Sequence, residues 1–242
     1  TIPIPDNAIV AGEPTKILRT NESHNMHKVI NSFRLLKEYC ENEGFQGWDP
    51  YDGLHSKVFQ ALPFLKKSAI CRLVVIQGFK RCPVNLRRLA LVPKEYNAKG
   101  IGLFLSGYSN LYNAVKANPK LAESLGSPDS LKSRINELAE LLISLQSKGY
   151  SGACWGYNFD WLARRLFLFP KFTPTVVASN FCATALMEAY EITREKRFLE
   201  IALSAAHFVI NDLHRTEYKD GFLFSYSPLQ GNDTVFNASL LG

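Results

Sequence analysis

Twice in this chain a long amphipathic segment runs up to a glycine and an aromatic, tryptophan-bearing loop follows. The first is Met26 to Glu43, then Gly44-Phe-Gln-Gly-Trp48-Asp49-Pro-Tyr51-Asp52; the second is Leu131 to Lys148, then Gly149 onward through Trp155, Tyr157, Asp160 and Trp161. A fainter copy runs from Arg197 to His214 and reaches Gly221-Phe-Leu-Phe-Ser-Tyr226. A recurring helix-then-aromatic-loop unit is the mark of a repeat architecture, in which one supersecondary unit is stacked on the next. The loops combine tryptophan, tyrosine and carboxylates, which is the chemistry of a sugar-binding face.

The helical segments are of two kinds. Met26, Val29, Ile30, Phe33, Leu36 and Cys40 fall at helical spacing with polar residues opposite, as do Leu131, Ile135, Leu138, Leu142 and Leu145 behind Ser130, an expected N-cap. Phe198, Ile201, Ala202, Ala205 and Phe208 repeat the pattern. By contrast, Val176 to Tyr190 carries one charge, Glu188, and Gly100 to Val115 none. A helix without a charged face is expected to be covered on nearly all sides. Buried and exposed helices therefore alternate. Leu65 to Lys80 also reads as a buried helix, and strand signals are weak.

Residues 1–22 hold three prolines and no periodicity, and are expected to form an extended arm before one all-α domain over residues 23–242. Near the end, Thr234-Val-Phe-Asn-Ala-Ser-Leu repeats the start of the segment at Thr175. It reads as a third buried helix cut off early, so the domain is expected to be truncated at its C-terminus.

Alternating buried and exposed helices with aromatic loops on one rim resemble the α/α toroid of six-hairpin glycosidases, polysaccharide lyases and sugar 2-epimerases. Gly47-Trp-Asp-Pro-Tyr-Asp52 and Cys154-Trp-Gly-Tyr-Asn-Phe-Asp-Trp161 more specifically resemble the VpsJ-type proteins of bacterial exopolysaccharide biosynthesis clusters. The resemblance implies an incomplete toroid of about four hairpins. It also implies action on a glycan as a hydrolase, lyase or epimerase, or a noncatalytic role as a glycan-binding or scaffold subunit.

The net charge of +6 comes from scattered basic residues, with no run of five and no zinc-finger or RRM signature, so nucleic acid is not an expected partner. No apolar stretch approaches the roughly 20 residues that span a bilayer. No secretory signal pattern opens the chain, and five cysteines without a CxxC pair read as reduced thiols, which together suggest the cytoplasm. Neither a metal site nor a cofactor motif is present: His207 and His214 lie seven apart, and Gly100, Gly102 and Gly107 read as packing glycines.

The candidate catalytic residues are Asp49, Asp52 and Asp160. The first two pair carboxylates on one loop, one able to stay protonated and the other charged; their competing role is to hold a turn and cap the following helix. Asp160 sits between two aromatic rings, where desolvation would raise its pKa. Trp48, Trp155, Tyr157 and Trp161 are the expected stacking platform, with core filling as the alternative. Tyr51, His55 and Arg164 complete the substrate-binding set, Arg164 as a clamp for an anionic group. The loops around Trp48 and Trp155 are expected on the same rim, lining one cleft.

Overall fold

The computed structural model describes residues 9–11, 16–18, 21–163, 167–233 and 235–242. It is mostly helical. Strands β1 (Ile9–Ala11) and β2 (Lys16–Leu18) pair as a hairpin ahead of α1 (Asn21–Asn42), so the expected arm contains a turn of sheet. A 3₁₀ turn over Asp52–His55 leads into α2 (Lys57–Gln60), α3 (Pro63–Lys67) and α4 (Ala69–Arg81). The long helices α5 (Ala98–Ala117), α7 (Pro128–Ser144), α8 (Val176–Thr193) and α9 (Lys196–Asp212) build the centre; α6 (Ala122–Leu125) bridges the first two. Hairpins β3 (Trp161–Leu162) with β4 (Leu168–Phe169) and β5 (Arg215–Tyr218) with β6 (Gly221–Phe224) follow α7 and α9, and α10 (Phe236–Ser239) is a single turn. Among the described residues no sheet exceeds two strands and no helix is long and apolar enough to cross a membrane.

The core follows from the helical spacing read in the sequence. Leu131, Ile135, Leu138 and Leu142 on α7 close against Ile101, Leu105 and Tyr108 on α5, and Cys182, Leu186 and Ala189 on α8 complete the cluster. Most of these side chains are wholly buried, each contributing about 1.5–3 kcal/mol relative to exposure. Helix α5 packs on α7, α8 on α9, and α5 on α8. Gly102 makes the last contact possible: a Cβ there would lie 3.4 Å from the Cys182 Cα. Gly100 and Gly107 have no such neighbour across a helix interface, so of the three glycines only Gly102 serves close packing.

Several expectations change. Ser127, not Ser130, caps α7, its hydroxyl accepting the Ser130 N–H at 3.2 Å with Pro128 at the first helical position, where a missing N–H costs nothing. The segment Leu65 to Lys80 breaks at Ser68, which caps α4 by accepting the Cys71 N–H. Helix α4 packs on the 3₁₀ turn and β3, and the consecutive long helices of the described residues form two packed hairpins, α5–α7 and α8–α9. Within the Gly221–Tyr226 stretch, Gly221–Phe224 is a strand rather than a loop, with Phe222 and Phe224 two residues apart. The charge-free helices are also not covered all round. Phe181, Thr184 and Met187 on α8 and Leu103 on α5 are exposed, because uncharged side chains rather than charged ones make up their outer stripes.

All five cysteines are free thiols. Burial pushes the Cys154 thiol up to about 12, with Asp212 adding to the rise, and raises Cys182 well above the ordinary range. Both stay protonated and serve as small apolar side chains.

The second aromatic loop is locked by two glycines whose Cα atoms touch backbone. A Cβ on Gly152 would lie 1.9 Å from the Ser204 carbonyl oxygen of α9, and one on Gly156 2.2 Å from that of Thr173. Gly156→Ala is expected to destabilise the fold by about 1–3 kcal/mol or more, because backbone must move. Gly107→Ala, in open space, should stabilise or leave stability unchanged. Urea denaturation of both variants checks the contrast.

Candidate functional site

The first aromatic loop is built by a helix stop. Gly44 and Phe45 both take φ of 59°, and the bonds Phe45 N–H to Cys40 C=O (2.9 Å) and Gly44 N–H to Glu41 C=O (3.0 Å) close a Schellman turn. Phe45 is thereby turned against Phe104 of α5 and the core. The chain then pairs with the segment before α5: Gly47 and Glu95 exchange N–H···O bonds of 3.2 and 3.3 Å. Trp48 is anchored by its indole N–H to the Val92 carbonyl at 3.0 Å, and the Lys94 ammonium sits 5.0 Å from its ring centre.

Asp49 and Asp52 divide their roles. Asp52 is buried and accepts the Arg87 Nε–H on both oxygens (2.8 and 3.2 Å) and the Asp49 N–H at 3.0 Å. Arg87 also donates to the Asp49 carbonyl at 2.9 Å. Asp52 thus knits the loop, and it does not cap a helix beginning at Gly53: the 3₁₀ turn starts at Asp52 and has no side-chain cap. The Asp49 carboxylate accepts the Tyr51 N–H through Oδ1 at 2.9 Å, an Asx turn, and also lines a cavity. Burial lifts both carboxyls above the ordinary aspartate range. Tyr51 N–H, Arg87 and Lys99 oppose the rise at Asp49; at Asp52 Arg87 opposes it most.

Two adjoining cavities share Trp48, Asp49 and Phe104 as walls. The larger, about 560 Å³, opens between the end of α1 and the end of α4 and includes Lys80 and Arg87. The smaller, about 140 Å³, is lined by Asp49, Asp52, His55, Glu95 and Asn97, and by Asn158 and Phe159 from the second aromatic loop. There Glu95 Oε2 lies 3.2 Å from His55 Nε2 and accepts the Asn158 amide at 3.1 Å. The buried Asn158 Oδ1 has no hydrogen-bond partner among the described residues. The two loops therefore do line one cleft, but through Asn158 and Phe159 rather than Trp155.

Trp155 is a correction. It is fully buried, its indole donates to the Leu142 carbonyl at the end of α7 at 2.8 Å, and no face is open to a ligand. Trp161 is half-buried and stacks on Phe169 at 4.5 Å with planes 9° apart, so one face is already covered. Asp160 likewise departs from expectation: its Oδ1 accepts the Lys171 N–H at 2.7 Å, which ties the residue before β3 to the segment after β4, and it lines neither cavity. Tyr51 is exposed with its hydroxyl accepting from Lys80 at 2.6 Å. Burial raises the pKa of the Tyr157 hydroxyl, with Tyr226 and Asp49 adding to the rise. Arg164 lies outside the described residues.

Sequence reasoning missed Arg87, Glu95, Asn158 and Phe104. Asn158 is the one polar amide among the rings of its loop, and Glu95 is the acid just ahead of a charge-free helix; either signal was available. Among the described residues no cluster of His, Cys, Asp and Glu is arranged to hold a metal ion. No family model, curated protein or solved structure matches the chain.

The Arg87–Asp52 pair makes a direct forecast. Arg87→Met strands a buried carboxylate and is expected to cost about 3–5 kcal/mol in urea unfolding. Adding Asp52→Asn to it should recover part of that loss, because the stranded charge is gone.

Proposed function

We propose that this protein acts on a carbohydrate held in the joined cavities, with α5 and α8 as inner helices and α7 and α9 as outer helices of an α/α-toroid array. The observation that carries the reading is Asp49. It is a partly buried carboxyl with a raised pKa, on an Asx turn that fixes its position, at the wall shared by both cavities and beside the ring of Trp48. A ring wall beside a carboxyl whose pKa burial raises suits stacking on a sugar and proton transfer to or from an oxygen. His55, held by Glu95 across the small cavity, supplies a second group able to move a proton. Hydrolysis, elimination and epimerisation each need such a pair. A bacterial polysaccharide is the substrate that the VpsJ-type resemblance of the two aromatic loops favours.

One observation favours the noncatalytic alternative, a glycan-binding or scaffold subunit. Asp52 is committed to Arg87 and Glu95 to His55 and Asn158, which leaves Asp49 as the one carboxyl in the cleft held only by a backbone N–H among the described residues.

Asp49→Asn separates the two, since it keeps the Asx turn and removes the ionisable proton. An enzyme that relies on Asp49 should lose on the order of 10² to 10⁴ in rate and still bind its glycan. A binding module would change affinity only modestly. Stability carries an independent sign. A carboxyl whose folded pKa lies above its unfolded value contributes stability that is present below about pH 4 and lost as pH rises through the folded value. Asn is spared that loss. The variant should therefore be more stable than the native chain at neutral pH, with the difference vanishing in acid. Equal stability at both pH values would argue against a burial-strained carboxyl.

A further inference from the structure

We propose that the small cavity is a subsite for one hydroxyl-rich sugar ring, and that it rejects uronic acids. The inference rests on the carbohydrate reading and adds the substrate class to it.

Hydrogen-bond acceptors dominate the walls of this cavity. Asp52 is answered by Arg87 at 2.8 Å, and Glu95 Oε2 accepts the Asn158 amide and lies 3.2 Å from His55 Nε2. Burial holds Asp49 toward its neutral form. What the walls still demand is hydrogen-bond donors rather than charge. Asn158 Oδ1 is buried without a donor, and neither Glu95 Oε1 nor Asp49 Oδ2 has a donor among the described residues. A buried acceptor without a partner costs free energy that a ligand hydroxyl restores. An anion fares badly here. No lysine or arginine lines the cavity among the described residues. A carboxylate placed there would meet acceptors on several sides, a like-charge arrangement that binding sites use to exclude wrong partners. The volume of about 140 Å³ is sized for a single ring, with Phe104 and Trp48 as apolar walls and the larger cavity beyond them for the rest of the chain.

Saturation-transfer NMR with the full chain tests this directly. The probes are the methyl glycosides of glucose, galactose and mannose, set against glucuronate and galacturonate. The expected result is that at least one neutral glycoside binds and that uronates bind on the order of 10²-fold more weakly. Asn158→Ala should weaken the neutral probe roughly fivefold through one lost hydrogen bond, while Asn110→Ala, exposed on α5 and in neither cavity, leaves it unchanged. Uronate binding as tightly as the neutral sugars would overturn the proposal and leave the carbohydrate reading standing. Binding of none of the probes would overturn both.

Discussion

The close approach of α5 and α8 governs where everything else sits. Gly102 lets the two backbones meet at Cys182, and the Cys182 thiol reaches the Ala98 carbonyl at 3.5 Å. Their N-terminal ends are thereby brought to one side of the domain. Asn97 caps α5 by accepting the Gly100 N–H, and Thr175 caps α8 by accepting that of Ala178. Asn97 and Gly100 then form part of the cavity wall. Trp155 locks the second loop beneath this junction: its side chain closes the end of α7, its N–H donates to Ser179, and its carbonyl accepts the Thr175 N–H. A residue that resembles a ligand platform is in fact the nail that lets Asn158 and Phe159 project into the cleft.

Within the cleft, charges are arranged so that rigidity and reactivity come from different side chains. The Asp52–Arg87 pair holds the first loop through both side-chain and backbone bonds, which fixes Asp49 without engaging its whole carboxylate. A buried pair of this kind is weak as net stabilisation, since desolvation offsets much of the attraction. Its value here is specific geometry. The same burial that makes the pair expensive keeps the Asp49 carboxyl above its ordinary pKa.

Helical periodicity made most of the core legible, because a 3.6-residue period leaves a plain trace wherever a side chain must be buried. Leu131, Ile135, Leu138 and Leu142 could be placed from spacing alone. Caps and breaks were less visible: Ser127 and Ser130 are equally good N-caps in sequence, and only the proline between them favours the first. In the site, Trp48, Asp49 and His55 were legible because the loop is short and local. Arg87, Glu95 and Asn158 were not, since each reaches the cleft from 35 or more residues away from its partner there. Trp155 and Trp161 were misjudged for one physical reason. An aromatic side chain has the same signature whether its face meets a sugar or other protein atoms, and here the core encloses Trp155 while Phe169 covers one face of Trp161.

The central claim is that the two aromatic loops form one carbohydrate cleft through Trp48, Asp49, Asn158 and Phe159. Hydrogen–deuterium exchange, measured with and without oligosaccharides from a partial acid hydrolysate of bacterial exopolysaccharide, tests it most directly. The account predicts that residues 45–55 and 156–160 gain protection together, at the same oligosaccharide concentration. Protection of one segment without the other, or protection confined to the α8–α9 side of the molecule, would contradict it.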